Sequence, residues 1–245
     1  MGQILAVVSG KGGTGKTSLC AAVACCLAEL GQTVLCIDAD VGLRNLDISL
    51  GMSQEYALPF TAVMSGEFPL DKACVHPKLE RLHFLTAPVA KQPEELDQDA
   101  FFSMLAEAKE RYDWIFIDAP AGVGAGFYLA AHKADLAMVV TGTDPAALRD
   151  GARTAQSLEQ ISTAEAKIVV NRIRTGFFRK LRFTVDDCMD TIGLPLLGIV
   201  PEDEAVYLSA AKGRPLTRSG KKGAKEAAKH IALRLMGKKT ALLDL

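Results

Sequence analysis

Apolar residues along the chain fall into two alternating kinds of run. Short, nearly unbroken ones at Ile4 to Val8, Thr33 to Ile37, Leu82 to Leu85, Trp114 to Ile117, Asp135 to Thr141 and Ala166 to Val170 predict strands. Runs without a polar alternation predict strands buried on both faces, as in a parallel sheet. Between them lie stretches with apolar positions three and four apart, which predict helices. The first covers Lys16 to Leu30, with Leu19, Val23, Cys26, Leu27 and Leu30 as its stripe and Gly31 as its stop. Others cover Gln98 to Glu110, marked by Phe101, Phe102 and Leu105, then Asp144 to Leu158, with Pro145 in the first turn, and Lys221 to Met236. Asp113 is placed to cap the exit of the second. The alternation predicts an α/β fold: a mainly parallel twisted sheet flanked by helices on both faces, opening with a β-α-β unit and its right-handed crossover. Ser53 to Pro77 breaks the pattern, because Pro59, Pro69 and Pro77 interrupt any long element. Short helices at Phe60 to Met64 and Leu70 to Val75 are the expectation there.

One junction carries chemistry. Between the first strand and the first helix stands Ser9 to Ser18, SGKGGTGKTS, in which Gly10 to Thr17 fits G-x-x-x-x-G-K-[ST] in the strand-loop-helix setting the phosphate loop requires. Gly10, Gly12, Gly13 and Gly15 let the backbone turn tightly around Lys11 and Thr14 and aim N–H groups at phosphate oxygens. The helix N-terminus adds partial positive charge. Lys16 is expected on the β- and γ-phosphates, the Thr17 hydroxyl on Mg²⁺, and Ser18 on the α-phosphate. The loop therefore predicts a bound nucleotide with Mg²⁺. Two further strand ends carry carboxylates, Asp38 with Asp40 and Asp118, where parallel sheets bind ligands.

KGGTGKT, with its second lysine Lys11, resembles the deviant Walker A box of the MinD/ParA family of ATPases. DADVGLRNLD, Asp38 to Asp47, is similar to the switch I text of the MinD branch. The resemblance covers Ile4 to about Gly237 and implies a P-loop NTPase fold, a homodimer formed on ATP, and hydrolysis of ATP to ADP and phosphate. It implies that Lys11 crosses to the phosphates of the other subunit, that Asp38 and Asp118 hold the Mg²⁺ hydration shell, and that Asp40 orients the attacking water. Asp118 to Gly122 resembles switch II, with the Gly122 N–H directed to the γ-phosphate. The following Val123 to Gly126 departs from the family, which often carries a glutamate there. Leu148-Arg149-Asp150 aligns with a position whose acid contacts the dimer partner. Asn171 and Arg172, at the end of a strand, fall where the family reads the adenine edge, and Pro201 lies in a G-x-x-P-E-D turn beside the base. Together these favour ATP over GTP.

Composition changes this picture little. At 245 residues with a formal charge of −1, the chain is expected to form one domain over 1–245, and its global charge names no partner. The six cysteines, Cys20, Cys25, Cys26, Cys36, Cys74 and Cys188, show no C-x-x-C spacing and read as small buried apolar residues in a reducing cytosol. That spacing argues against an iron–sulfur carrier on the same fold. His76 and His83 lack partners at metal-ligand spacing and are expected to pack or to face solvent. No apolar run approaches the roughly 20 residues that span a bilayer, and no signal-peptide pattern is present. Local charge is more informative. Lys212 to Lys239 holds ten Lys or Arg and one acid, Glu226, which fits DNA phosphate, acidic lipid at the inner face of the cell membrane, or a solvated helix face. The family's usual membrane helix is not evident in Thr240 to Leu245, which has apolar character but no basic-aromatic pattern. The resemblance thus implies a cytoplasmic ATPase with regulatory protein partners. Its cargo is the division septum or, in the alternative, DNA or another assembly such as a flagellum.

Overall fold

The computed structural model describes residues 1–41, 43–89, 91–174, 176, 180, 184–219 and 222–243. Gly42, within the switch I text, Lys221, where the last helix was expected to start, and the final pair Asp244 and Leu245 lie outside the described residues. The strands are β1 (Gln3–Val8), β2 (Val34–Asp38), β3 (Cys74–His76), β4 (Leu79–Leu85), β5 (Trp114–Asp118), β6 (Leu136–Thr141), β7 (Glu165–Ile173) and β8 (Leu196–Pro201). They form one sheet in the order β3-β4-β2-β5-β1-β6-β7-β8. Every pairing is parallel except β3 with β4. β5 inserts between β1 and β2, so the first β-α-β unit spans a strand contributed later in sequence.

Alternation along each strand divides the core into two layers. In β1, Ile4, Ala6 and Val8 join one apolar cluster, and Leu5 and Val7 join the other. The first layer is closed by α3 (Phe60–Met64), α4 (Gln98–Arg111), α5 (Ala125–Ala131), α6 (Pro145–Ile161) and α7 (Val185–Ile192). The second is closed by α1 (Lys16–Glu29), α2 (Leu46–Leu50) and α9 (Ala224–Leu235), with α8 (Glu204–Ala211) at its edge.

Helix α1 departs from its expected stripe. Leu19 through Ala28 are all buried, because α2 and α9 cover the side turned away from the sheet. Three of the six cysteines are thereby sealed in this helix, and Cys36 and Cys188 are buried too. Burial pushes the Cys36 thiol well above its ordinary value and that of Cys26 to about 12, so both stay protonated and inert. His76 is 1% exposed and accepts from the Lys78 N–H through Nδ1, with Nε2 3.0 Å from the Leu50 carbonyl, a packing role.

Two local expectations are corrected. Leu70 to Val75 is not a helix: a 3-10 turn at Leu70–Lys72 gives way to β3, whose Cys74 and Val75 pair with Phe84 and His83 of β4. Sheet pairing outweighs the weak local helical preference of that stretch. Asp113 does not cap α4. Its carboxylate accepts from the Thr33 N–H and hydroxyl, both at 2.7 Å, and clips the start of β2 beside the start of β5.

Candidate functional site

The C-terminal ends of β1, β2, β5, β6, β7 and β8 gather the candidate residues on one rim of the sheet. The loop after β1 starts at buried Ser9 and ends at Gly15, which sits at φ +85° as the N-cap of α1. Glycine is required at both ends by close packing. A Cβ on Gly10 would lie 2.3 Å from the Asp150 carbonyl oxygen, and one on Gly15 would lie 2.5 Å from Asn171 Nδ2. The loop is therefore wedged between α6 and the end of β7.

Lys16 opens α1 and is 6% exposed; its Nζ lies 2.6 Å from Asp118 Oδ1 and 3.4 Å from the Thr17 hydroxyl. Asp118 Oδ2 is buried with no hydrogen-bond partner, as is the Thr14 hydroxyl. Burial pushes the Asp118 carboxyl above its ordinary range, against the pull of Lys16. Asp38 pairs with Asp118 across β2 and β5. Its Oδ1 accepts from the Asp40 N–H at 3.0 Å and its Oδ2 from the Leu46 N–H at 3.1 Å, so one carboxylate gathers the loop that leads into α2. Burial, then the neighbouring Asp118, raises Asp38 from 3.8 to about 7. Asp40 sits half-buried two residues beyond.

Thr17, Asp38 and Asp118 present hard oxygen donors, one of them an orphaned buried carboxylate oxygen. That set fits Mg²⁺, which is usually held by one or two carboxylates together with phosphates and water. Among the described residues there is no cluster of three or more His, Cys, Asp or Glu able to cage a metal by itself.

Beyond the loop lie two clefts. One, of about 520 Å³, is lined by Gly15, Ser18, Asn171, Pro201, Val206 and Tyr207 and is large enough for a nucleobase and sugar. The other, of about 560 Å³, lies toward α6 and is lined by Lys11, Gly12, Gly13, Asp144 and Arg174. Asn171 and Arg172 stand between them, where the β7–β8 register slips between Val170 and Ile173. Asn171 Nδ2 donates to the Thr14 carbonyl at 2.7 Å. Arg172, at φ +59°, donates through Nη1 to the Gly13 carbonyl at 2.9 Å and through Nη2 to Glu202 at 3.0 Å. Arg174 pairs with the same carboxylate. Arg174 and Arg172 together hold Glu202 down to about 2.

The remaining sequence candidates are placed as follows. Lys11 Nζ lies 3.3 Å from Asp144 Oδ1, both side chains about half exposed. Gly122, at φ +90°, gives its N–H to the Ser9 carbonyl at 2.9 Å. Asp150 lies on α6 with its carbonyl against Gly10, accepting from the Thr154 hydroxyl at 2.8 Å. Sequence reasoning left out Asp144, Arg174, Glu202 and Tyr207 as site residues. Asp144-Pro145 signalled a helix start and nothing more, since its lysine partner is 133 residues away.

The profile of the CobQ/CobB/MinD/ParA nucleotide-binding domain matches residues 5–216. The chain belongs to that family. The septum site-determining protein MinD of Synechocystis sp. is 37% identical over 247 residues, covering 100% of this chain and 93% of its own length. Among solved structures, the MinC:MinD cell division protein complex of Aquifex aeolicus matches with a TM-score of 0.90 at 33% identity, over 99% of this chain and 98% of that one. MinD of Pyrococcus horikoshii complexed with Mg-ADP matches with a TM-score of 0.82 at 28% identity, over 96% of each chain. The expected fold, a P-loop NTPase with a mainly parallel sheet, is thereby established, and members of the MinD/ParA family are ATPases. The family uses ATP and Mg²⁺. Among the described residues no helix is long and apolar enough to cross a membrane.

Proposed function

We propose that the protein is a MinD-like ATPase that closes into a homodimer on ATP and Mg²⁺ and regulates placement of the division septum. One observation carries the reading. A phosphate loop with the extra lysine Lys11 shares one rim with Asp38, Asp40 and Asp118, in a chain similar over its whole length to a septum site-determining protein. When bound, Mg²⁺ supplies electrostatic stabilisation of charge on the transferred phosphoryl group.

The chain's own groups have these tasks in our reading. Gly10 to Thr14 wrap the phosphates with backbone N–H groups, and Lys16 leaves Asp118 to reach the β- and γ-phosphates. Thr17, with the freed Asp118 and Asp38, holds the metal and its water. Asp40 orients the attacking water. Gly122 releases Ser9 and turns its N–H to the γ-phosphate. Asn171, Arg172 and Pro201 face the adenine. Lys11 from each subunit reaches the phosphates of the other, and Asp150 lies at the dimer contact. A regulatory partner, of the kind MinC is to MinD in the Aquifex complex, sets the timing.

The basic C-terminal stretch weighs less toward DNA than its charge implied. Arg218, Lys225 and Arg234 donate to backbone carbonyls of Lys78, Ser219, Leu197, Thr240 and Ala241.

The test is sedimentation of the protein with ATP·Mg²⁺ or ADP, alone, with anionic liposomes and with plasmid DNA, alongside phosphate release. ATP-dependent dimerisation and turnover, both lost in Lys11→Ala while ATP still binds, support the reading. A Lys11→Ala variant with full dimerisation and turnover removes the cross-subunit lysine. ATP-dependent pelleting with DNA but not with liposomes overturns septum placement in favour of a DNA cargo.

A further inference from the structure

The loop and helix α6 touch at two points. At one, Gly10 is packed against the Asp150 carbonyl. At the other, Lys11 Nζ reaches Asp144 Oδ1 at 3.3 Å across the mouth of the second cleft. The same Oδ1 accepts from the Ala147 N–H at 3.0 Å and caps α6, and Pro145 fixes the first turn. The acceptor is thus held in place by the fold, and only the lysine is free to move. Asp144 lies outside every motif that assigns the site, and it holds the one lysine in the loop that Asp118 does not.

We propose that Asp144 is a positioning residue that parks Lys11 on its own subunit, so that closing the dimer requires each protomer to exchange this carboxylate for the nucleotide bound by its partner. This rests on the dimer reading above. Lys11 has one charge to give: while it lies on Asp144 it is not offered to the nucleotide of a second copy, and Asp144 opposes closure twice per dimer. An ion pair exposed to this degree holds its lysine by a factor of roughly 1.4 to 5 per protomer. Two pairs break per dimer, so removing the latch strengthens the dimer by about 2- to 25-fold. The pair is screened by salt, so the gain shrinks as ionic strength rises.

The experiment uses Asp144→Asn, which keeps an N-capping side chain while removing the charge. Asp144→Ser, a second neutral cap, is the control should Asn disturb the helix. Sedimentation equilibrium with a non-hydrolysed ATP analogue and Mg²⁺ gives the dimer dissociation constant for each variant, at about 50 mM and about 500 mM salt. ATP affinity is measured separately on dilute, monomeric protein. The expected result is a dimer constant about 2- to 25-fold tighter at low salt, converging with the unaltered protein at high salt, with monomer ATP affinity and melting temperature unchanged. An unchanged or weaker dimer at low salt in both variants overturns the latch alone, provided the unaltered protein dimerises and Lys11→Ala does not. Failure of the unaltered protein to dimerise, or dimerisation of Lys11→Ala, overturns the latch together with the reading beneath it.

Discussion

The buried pair of Lys16 and Asp118 makes the sharpest energetic claim on this fold. Its atoms are 2.6 Å apart and its side chains are 6% and 1% exposed. Replacing Lys16 with Met keeps much of the side-chain volume but leaves a carboxylate buried without its cation, on the strand next to Asp38. Breaking a buried pair on one side costs about 3–5 kcal/mol. Asp118 has a way to limit that cost. Burial already pushes its carboxyl upward, and without Lys16 the neighbouring Asp40 and Asp38 carboxylates remain, so it takes up a proton more readily. A raised folded-state pKa means stability is kept at low pH and lost as pH rises through it. The loss on Lys16→Met is therefore the full 3–5 kcal/mol, about 6–20 °C in melting temperature for a chain of this size, on the alkaline side, and it shrinks as pH falls. Adding Asp118→Asn to Lys16→Met removes the orphaned charge and recovers most of the loss. The assay is equilibrium urea unfolding of nucleotide-free, EDTA-treated protein for the two single variants and the double variant, which gives the coupling energy directly. A Lys16→Met loss below about 1 kcal/mol at pH 8, or a double variant no more stable than Lys16→Met, refutes the reasoning.

Two further outcomes follow from the same rim. Asp38 is raised to about 7, so metal-free protein loses stability as pH rises from 5 to 8, by about 2.5 kcal/mol on linkage; Asp38→Asn removes that slope, and equal slopes in the two proteins count against it. Gly10→Ala forces backbone contact with Asp150 and costs about 1–3 kcal/mol in thermal melts, while Gly12→Ala, with open space around it, stays within about 0.5 kcal/mol; equal losses show that the loop is not wedged against α6.

Legibility in the sequence followed the range of the interactions. Strands and helices were readable because burial imposes a period on neighbours, and Gly10 to Ser18 was readable because phosphate binding needs a contiguous backbone. Asp38 and Asp118 were readable as carboxylates at the ends of apolar runs. Their hydrogen-bonding duties were not, since Asp38 accepts from Leu46 and Asp118 from Lys16, 102 residues away. Arg172 and Glu202 were invisible as a pair, because the register slip that brings them together arises from two strands rather than one. The basic stretch shows the opposite limit: counting charges treats every arginine as free, whereas Arg234 is bound to three carbonyls across β8 and the tail.

These pairings share a consequence. Lys11 rests on Asp144, Lys16 on Asp118, Arg172 and Arg174 on Glu202, and Asp38 on two N–H groups of the loop leading to α2. On the function proposed above, a phosphate entering this rim displaces an internal acid from each lysine it meets, and a divalent ion competes with the Asp40 and Leu46 N–H groups for Asp38. Affinity then reports a difference between two sets of charge-assisted contacts rather than their sum. Each exchange also loosens a named segment: Lys11 gives up one of the two ties between the loop and α6, and Asp38 loosens its hold on residues 40–46. Coupling between nucleotide and surface shape then needs no long pathway, because the groups assigned to the ligand in that reading are the same ones that hold the loops.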